Sequence, residues 1–332
     1  MDVNPSVFVV GCPRSGTTLL QTMLDHHPQL AVANDTHFIP LPIRGVPVGC
    51  DPPLSAQCVE RLLDDPRFAR LGLSEAVVSK AAAESRTYAE FVSALYGEFG
   101  RLRGKPLAGE KTPDYVRYLP LLHSLFPWAR TVHVIRDGRD VALSTLQWAK
   151  EGRGPRKFKL WREEPLAVCA LWWSWQVSTG RRHGTDLGPD RYYEVKYEHL
   201  VARPEQTLRR ITKFLGLPFA PEMLTYHQGH PPYAGGRSTK VWLQPTNGLR
   251  DWRSQLAPRD VELFESLAGD LLSALGYERA FDVISRGISC LGRRHGSWWE
   301  AKIARRQPEL TYPPDGALEP SVPAGSCGRE TS

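Results

Sequence analysis

The sequence predicts an α/β fold of three layers, a central parallel sheet flanked by helices, with a helical insertion added to it. Three observations predict it. Short apolar, β-branched runs end at glycine or polar turns, an amphipathic helix pattern follows each, and one long segment between them shows helical spacing alone. A chain of 332 residues with 41% apolar content is long enough to bury such a core. One domain is expected over residues 1–306, with the insertion at about 52–104.

The first unit opens with Val7-Phe8-Val9-Val10, a continuous apolar run stopping at Gly11, as a strand covered on both faces does. Leu19, Leu20, Met23 and Leu24 then recur at helical spacing from Thr17, and Pro28 lies just beyond. In the insertion, Leu62, Leu63, Phe91, Leu95 and Phe99 are the candidate buried positions. A second strand is expected at 131–135, closed by the turn Arg136-Asp137-Gly138-Arg139-Asp140 and followed by a helix through Val141, Leu143 and Leu146. A helix at 165–182 carries Trp172, Trp173 and Trp175, which read as core. The third strand is expected at 192–197, its helix at 205–215, with Gly216 as the stop. A further helix is expected at 258–275, and the basic segment 293–306, with Trp298, Trp299 and Ile303, reads as a packed terminal helix. Residues 307–332 are rich in proline and glycine and are expected to form a disordered tail.

The formal charge of +6 suits anionic ligands. Lysine and arginine are dispersed along the chain, however, so no nucleic-acid partner is expected. The apolar run at 7–10 is too short for a signal peptide or a membrane span, and no transmembrane segment is expected. Six cysteines without a CxxC pair fit free thiols in a reducing compartment, so a cytoplasmic protein is expected. His26 with His27, and His227 with His230, read as helix-end and loop residues, and no metal site is expected. A homodimer remains open.

The loop Cys12-Pro13-Arg14-Ser15-Gly16-Thr17-Thr18 joins the first strand to its helix, where backbone N–H groups and the helix dipole favour an anion. The fold is in this respect P-loop-like. Gly11 and Gly16 have the spacing of a nucleotide-phosphate loop, yet Thr17 stands where GxxxxGK[ST] has its lysine. The cation is Arg14, whose fork, with the Thr17 and Thr18 hydroxyls, suits a phosphosulfate. A kinase or ATPase with an altered loop, or a nucleotide-binding protein without catalysis, is the competing reading.

The segment PRSGTT after a strand resembles the 5′-phosphosulfate loop of sulfotransferases that use 3′-phosphoadenosine 5′-phosphosulfate (PAPS), nearest to the bacterial and protein-tyrosine branches. Arg136, with Ser144 eight positions later, is similar to that family's 3′-phosphate motif. Read singly, Arg136 fits an ion pair with Asp140 equally well. Tyr197-Glu198 resembles the family segment near the adenine, and Ser238-Thr239 the late loop that covers the nucleotide. Pro13, Arg14, Ser15, Gly16, Thr17, Thr18, Arg136, Ser144, Tyr197, Ser238 and Thr239 are thus the implied donor-binding residues. The resemblance implies sulfuryl transfer by in-line displacement, without metal, to a small-molecule, glycan, lipid or tyrosyl hydroxyl. It also implies Lys111, in Gly109-Glu110-Lys111-Thr112-Pro113, as a catalytic lysine beside Arg14. Asp35 stands where related chains carry a glutamate, which makes it the first candidate for general base and His37 the second. In the alternative, Asp35 caps a following helix and His37 lines the pocket.

Overall fold

A computed structural model describes residues 4–228 and 250–304. Five strands, β1 (Val7–Gly11), β2 (Leu30–Asn34), β3 (Leu107–Lys111), β4 (Arg130–Ile135) and β5 (Tyr192–Lys196), form one sheet in the order β2-β3-β1-β4-β5. Every pairing is parallel. Alternation along β1 sends Val7 and Val9 into one apolar cluster and Phe8 and Val10 into another, so both faces of the sheet are covered. The helix Thr17–Asp25 and the helix Pro204–Leu215 supply the first cover. The long helix Pro165–Leu187 and the insertion supply the second.

The three strands expected from sequence are present, together with β2 and β3, which apolar patterning did not reveal. β3 reads Leu-Ala-Gly-Glu-Lys and buries both charged residues completely. Glu110 accepts hydrogen bonds from the Thr36 amide at 3.0 Å, the Tyr96 hydroxyl at 2.9 Å and the Thr112 hydroxyl, so its carboxylate stays satisfied in the core.

The insertion is helical as expected: Ala56–Leu63, the short 3-10 turn Phe68–Leu71, Glu75–Glu84 and Tyr88–Arg101. The last starts at a capping box in which Thr87 accepts from the Glu90 amide and Glu90 accepts from the Thr87 amide. Leu62, Phe91, Leu95 and Phe99 are buried, but Leu63 is 38% exposed, because it follows Leu62 by one position and so faces away from the same core. Trp172 and Trp173 are core residues. The terminal helix Arg286–Ala304 packs Trp299 against Phe158 at 4.6 Å and Trp175 at 6.2 Å. The predicted tail at 307–332 and the pair Ser238 and Thr239 lie outside the described residues.

Candidate active site

The loop after β1 brings its predicted residues to the end of the sheet. Gly16 takes φ 95°, and a Cβ there would lie 2.3 Å from the Tyr197 ring, so only glycine allows the loop and this tyrosine to meet. The helix from Thr17 begins with no acidic residue in its first turn, leaving its amino-terminal N–H groups to a negative charge. Ser15 Oγ is buried with no hydrogen-bond partner among the described residues.

Arg14 Nε donates to Ser144 Oγ at 3.1 Å, and its guanidinium lies 5.6 Å from the centre of the Trp148 ring. The two segments that resemble phosphate motifs are therefore joined directly, by one side chain from each. Arg136 leaves the end of β4, lies 4.3 Å over the Tyr197 ring and donates to Asp140 at 3.2 Å. The ion pair anticipated as an alternative is thus formed, yet Arg136 Nε remains buried without a partner among the described residues. Tyr197 begins the short helix Tyr197–Ala202, between Gly16 and Arg136.

The neighbours of Arg136 brace the strand end. Asp137 caps the helix Gly138–Lys150 by accepting from the Arg139 amide at 2.9 Å. Arg139 is buried in ion pairs with Asp137 at 2.7 Å and Glu265 at 2.6 Å. Glu198 accepts from the Asp137 amide and the Tyr277 hydroxyl, both at 3.0 Å. Sequence reasoning noticed Glu198 only beside Tyr197; its partners are distant in the chain and leave no local pattern.

On the other side of the loop, Lys111 Nζ is fully buried, 2.9 Å from Asp35 Oδ1 and 3.2 Å from Thr18 Oγ1. His37 Nε2 is 3.9 Å from the same carboxylate oxygen. Burial pushes the Asp35 carboxyl up, but Lys111, His37 and Arg70 together outweigh it and hold it below the ordinary carboxylate value. The carboxylate is therefore ionised at neutral pH and is not raised toward neutrality. Burial also dominates at His37, lowering its pKa against the pull of Asp35 and Asp114, so the imidazole is neutral. No helix follows Asp35 directly; the next is Ala56–Leu63, and the capping alternative falls away.

Among the described residues, only Arg14, Asp35 and His37 are non-glycine residues with positive φ, at 78°, 56° and 57°. Backbone strain of this kind persists where surrounding contacts enforce it, and it gathers at functional sites. All three are residues singled out from sequence.

The sequence pattern of the sulfotransferase family matches residues 5–221. The chain belongs to the sulfotransferase family. Among similar proteins, the protein-tyrosine sulfotransferase of Drosophila melanogaster is 28% identical over 282 residues, covering 82% of this chain and 52% of that protein. This sulfotransferase therefore spans about half the length of that relative. The nodulation protein NoeE of Sinorhizobium fredii is 25% identical over 363 residues, covering 98% of this chain and 78% of that one. Two solved structures share the fold. The sulfotransferase domain from the curacin biosynthetic pathway has a TM-score of 0.55 at 21% identity and covers 84% of this chain and 99% of its own. That from the Synechococcus PCC 7002 olefin synthase has a TM-score of 0.54 at 24% identity, with 83% and 96% covered. Family membership sets the kinase and ATPase reading aside. Among the described residues of this sulfotransferase, no helix is long and apolar enough to cross a membrane.

Proposed function

We propose that this sulfotransferase moves a sulfuryl group from PAPS to an acceptor hydroxyl, on a small molecule, glycan, lipid or tyrosyl side chain. The observation that carries the reading is Lys111, whose ammonium touches Asp35 on the acceptor side and Thr18 of the phosphate loop on the donor side. The residues fit such a donor: an uncapped helix start, a glycine forced against Tyr197, and the buried atoms Ser15 Oγ and Arg136 Nε, unpartnered among the described residues, which supply hydrogen-bonding capacity for phosphate oxygens.

Pro13, Arg14, Ser15, Gly16, Thr17 and Thr18 would hold the 5′-phosphosulfate, Arg136 and Ser144 the 3′-phosphate, and Tyr197 the adenine side; Ser238 and Thr239 stay assigned to the covering loop. Bound there, PAPS supplies the sulfuryl group, and the bisphosphate nucleotide is what departs. Asp35, ionised beside Lys111, accepts the acceptor hydroxyl proton at its carboxylate. Neutral His37 is the second candidate base. Lys111 and Arg14 place positive charge where the leaving phosphate gains negative charge.

Two measurements test this. Binding of the desulfated nucleotide should weaken strongly in Arg14→Ala and in Arg136→Ala, without a need for magnesium; unchanged affinity in both removes the site assignment. Incubation of a cell extract with enzyme and PAPS, followed by mass spectrometry, should show products heavier by one sulfate. Turnover of ATP in place of any such product would refute the transfer itself.

A further inference from the structure

The turn bearing Asp35 and His37 is gripped from two directions. Its amides are held from β3 and the 3-10 turn Pro113–Arg117 that follows it: Asp35 N–H donates to the Lys111 carbonyl at 2.7 Å, Thr36 N–H to Glu110 at 3.0 Å, and Ile39 N–H to the Tyr115 hydroxyl at 3.0 Å. The Asp35 carbonyl instead accepts from Arg70 Nη1. Arg70 belongs to the short turn Phe68–Leu71 of the insertion, and that turn is itself anchored, with Phe68 and Leu71 buried. Phe68 meets Phe38, three residues beyond Asp35, edge-on at 5.1 Å.

Arg67, one turn earlier, spends its charge on Asp65 through two hydrogen bonds of 2.9 and 2.7 Å. Arg70 has no carboxylate at ion-pair distance among the described residues, and its side chain is exposed. Among the described residues, the insertion therefore brings a cation without an ion-pair partner to the backbone of the candidate base. An aspartate at φ 56° sits in a sparsely populated region, which persists where surrounding contacts hold it, here at both its N–H and its C=O.

We propose that Arg70 is a positioning residue for sulfuryl transfer: by holding the Asp35 carbonyl, it locks the left-handed turn that keeps Asp35 against Lys111. The assignment rests on reading Asp35 as the base, but the grip itself can be measured independently. The titratable and charged groups that face Asp35 are Lys111 from β3, His37 from its own turn and Arg70 from the insertion; His37 is influenced in addition by Asp114 and Arg67. Removing the Arg70 cation takes away a stabiliser of the carboxylate, so the Asp35 titration moves to higher pH.

The test uses the full chain as Arg70→Met and Arg70→Lys. Carbon NMR follows the Asp35 carboxyl through its titration, with Asp35→Asn identifying the signal. Steady-state kinetics use PAPS and the acceptor fraction found by the mass-spectrometric screen, and desulfated-nucleotide binding checks that the donor site is intact. In Arg70→Met the titration should move to higher pH, and kcat should fall about tenfold with KM little changed. Arg70→Lys should recover most of the titration shift, while the nucleotide binds both variants as it binds the parent. An unmoved titration with unchanged kcat in Arg70→Met overturns the proposal. So does a loss that comes with weakened nucleotide binding and no relief from lysine, which marks general damage. Full activity of Asp35→Asn sinks the base assignment alone, and leaves the NMR result to judge the grip.

Discussion

Lys111 holds its buried amino group between the Asp35 carboxylate and the Thr18 hydroxyl, and under the proposed function its removal should separate chemistry from binding. Lys111→Met is expected to lower kcat by about 10²–10³-fold while desulfated-nucleotide affinity changes far less, as for a group whose charge matters most in the transition state. Steady-state kinetics beside a binding isotherm measure both. Two other buried residues report on stability. His133 is pushed down to about 3 and His123 to about 4, in each case by burial first and a neighbouring arginine second. His133 hydrogen-bonds the Tyr192 hydroxyl at 2.6 Å and His123 the Thr131 hydroxyl at 2.8 Å. Both are neutral when folded, whereas the unfolded chain binds their protons near the ordinary value of about 6.5. Stability from this source is complete above that pH and is lost on acidification, at about 1.4 kcal/mol per pH unit for each histidine. The losses continue until the folded groups protonate, near 4 for His123 and near 3 for His133. Urea unfolding from pH 7 to pH 4.5 should show the decline, and His133→Gln should flatten part of it.

Among the elements, the helix Gly138–Lys150 depends on its first residue. A Cβ at Gly138 would lie 2.5 Å from Trp173 and 2.6 Å from Phe264, both core side chains that cannot retreat. Gly138→Ala should destabilise the protein by about 1–3 kcal/mol through overpacking and weaken nucleotide binding through the adjacent Arg136. Chemical denaturation and a binding isotherm measure the two effects. The strands β1 and β4 were legible as apolar runs with turn signals, β5 as an alternating segment, and the glycine loop because its chemistry is local. β3 was not, since Glu110 and Lys111 look like surface residues until Thr36, Tyr96, Asp35 and Thr18 fold against them. β2, with alanine at alternate positions, carried too weak a pattern. The candidate site was legible through Arg14, Asp35, His37, Lys111 and Arg136. Arg70 was not, because its contact with Asp35 spans 35 positions and follows no helix or strand period.

At the level of the whole molecule, the candidate residues converge on one end of a single parallel sheet, where β1 leads into the glycine loop, β2 to Asp35 and His37, and β4 to Arg136. Ligand binding there should stabilise the entire domain: desulfated nucleotide at a hundredfold over its Kd should add about 2.7 kcal/mol, seen as a rise in Tm. Arg136→Ala should remove the rise. The strand order also has a consequence for synthesis. β1 lies at the centre of the sheet, yet its neighbours are β3 and β4, whose residues begin at Leu107 and Arg130. A ribosome adding about 5–20 residues per second leaves Val7–Gly11 without either partner for several seconds or longer. This apolar segment thus emerges before its sheet partners and must wait, a period in which a chaperone or a stalled neighbour finds it exposed. Chains released before β4 should collapse and aggregate without a cooperative unfolding transition, and those extending beyond β5 should begin to show one.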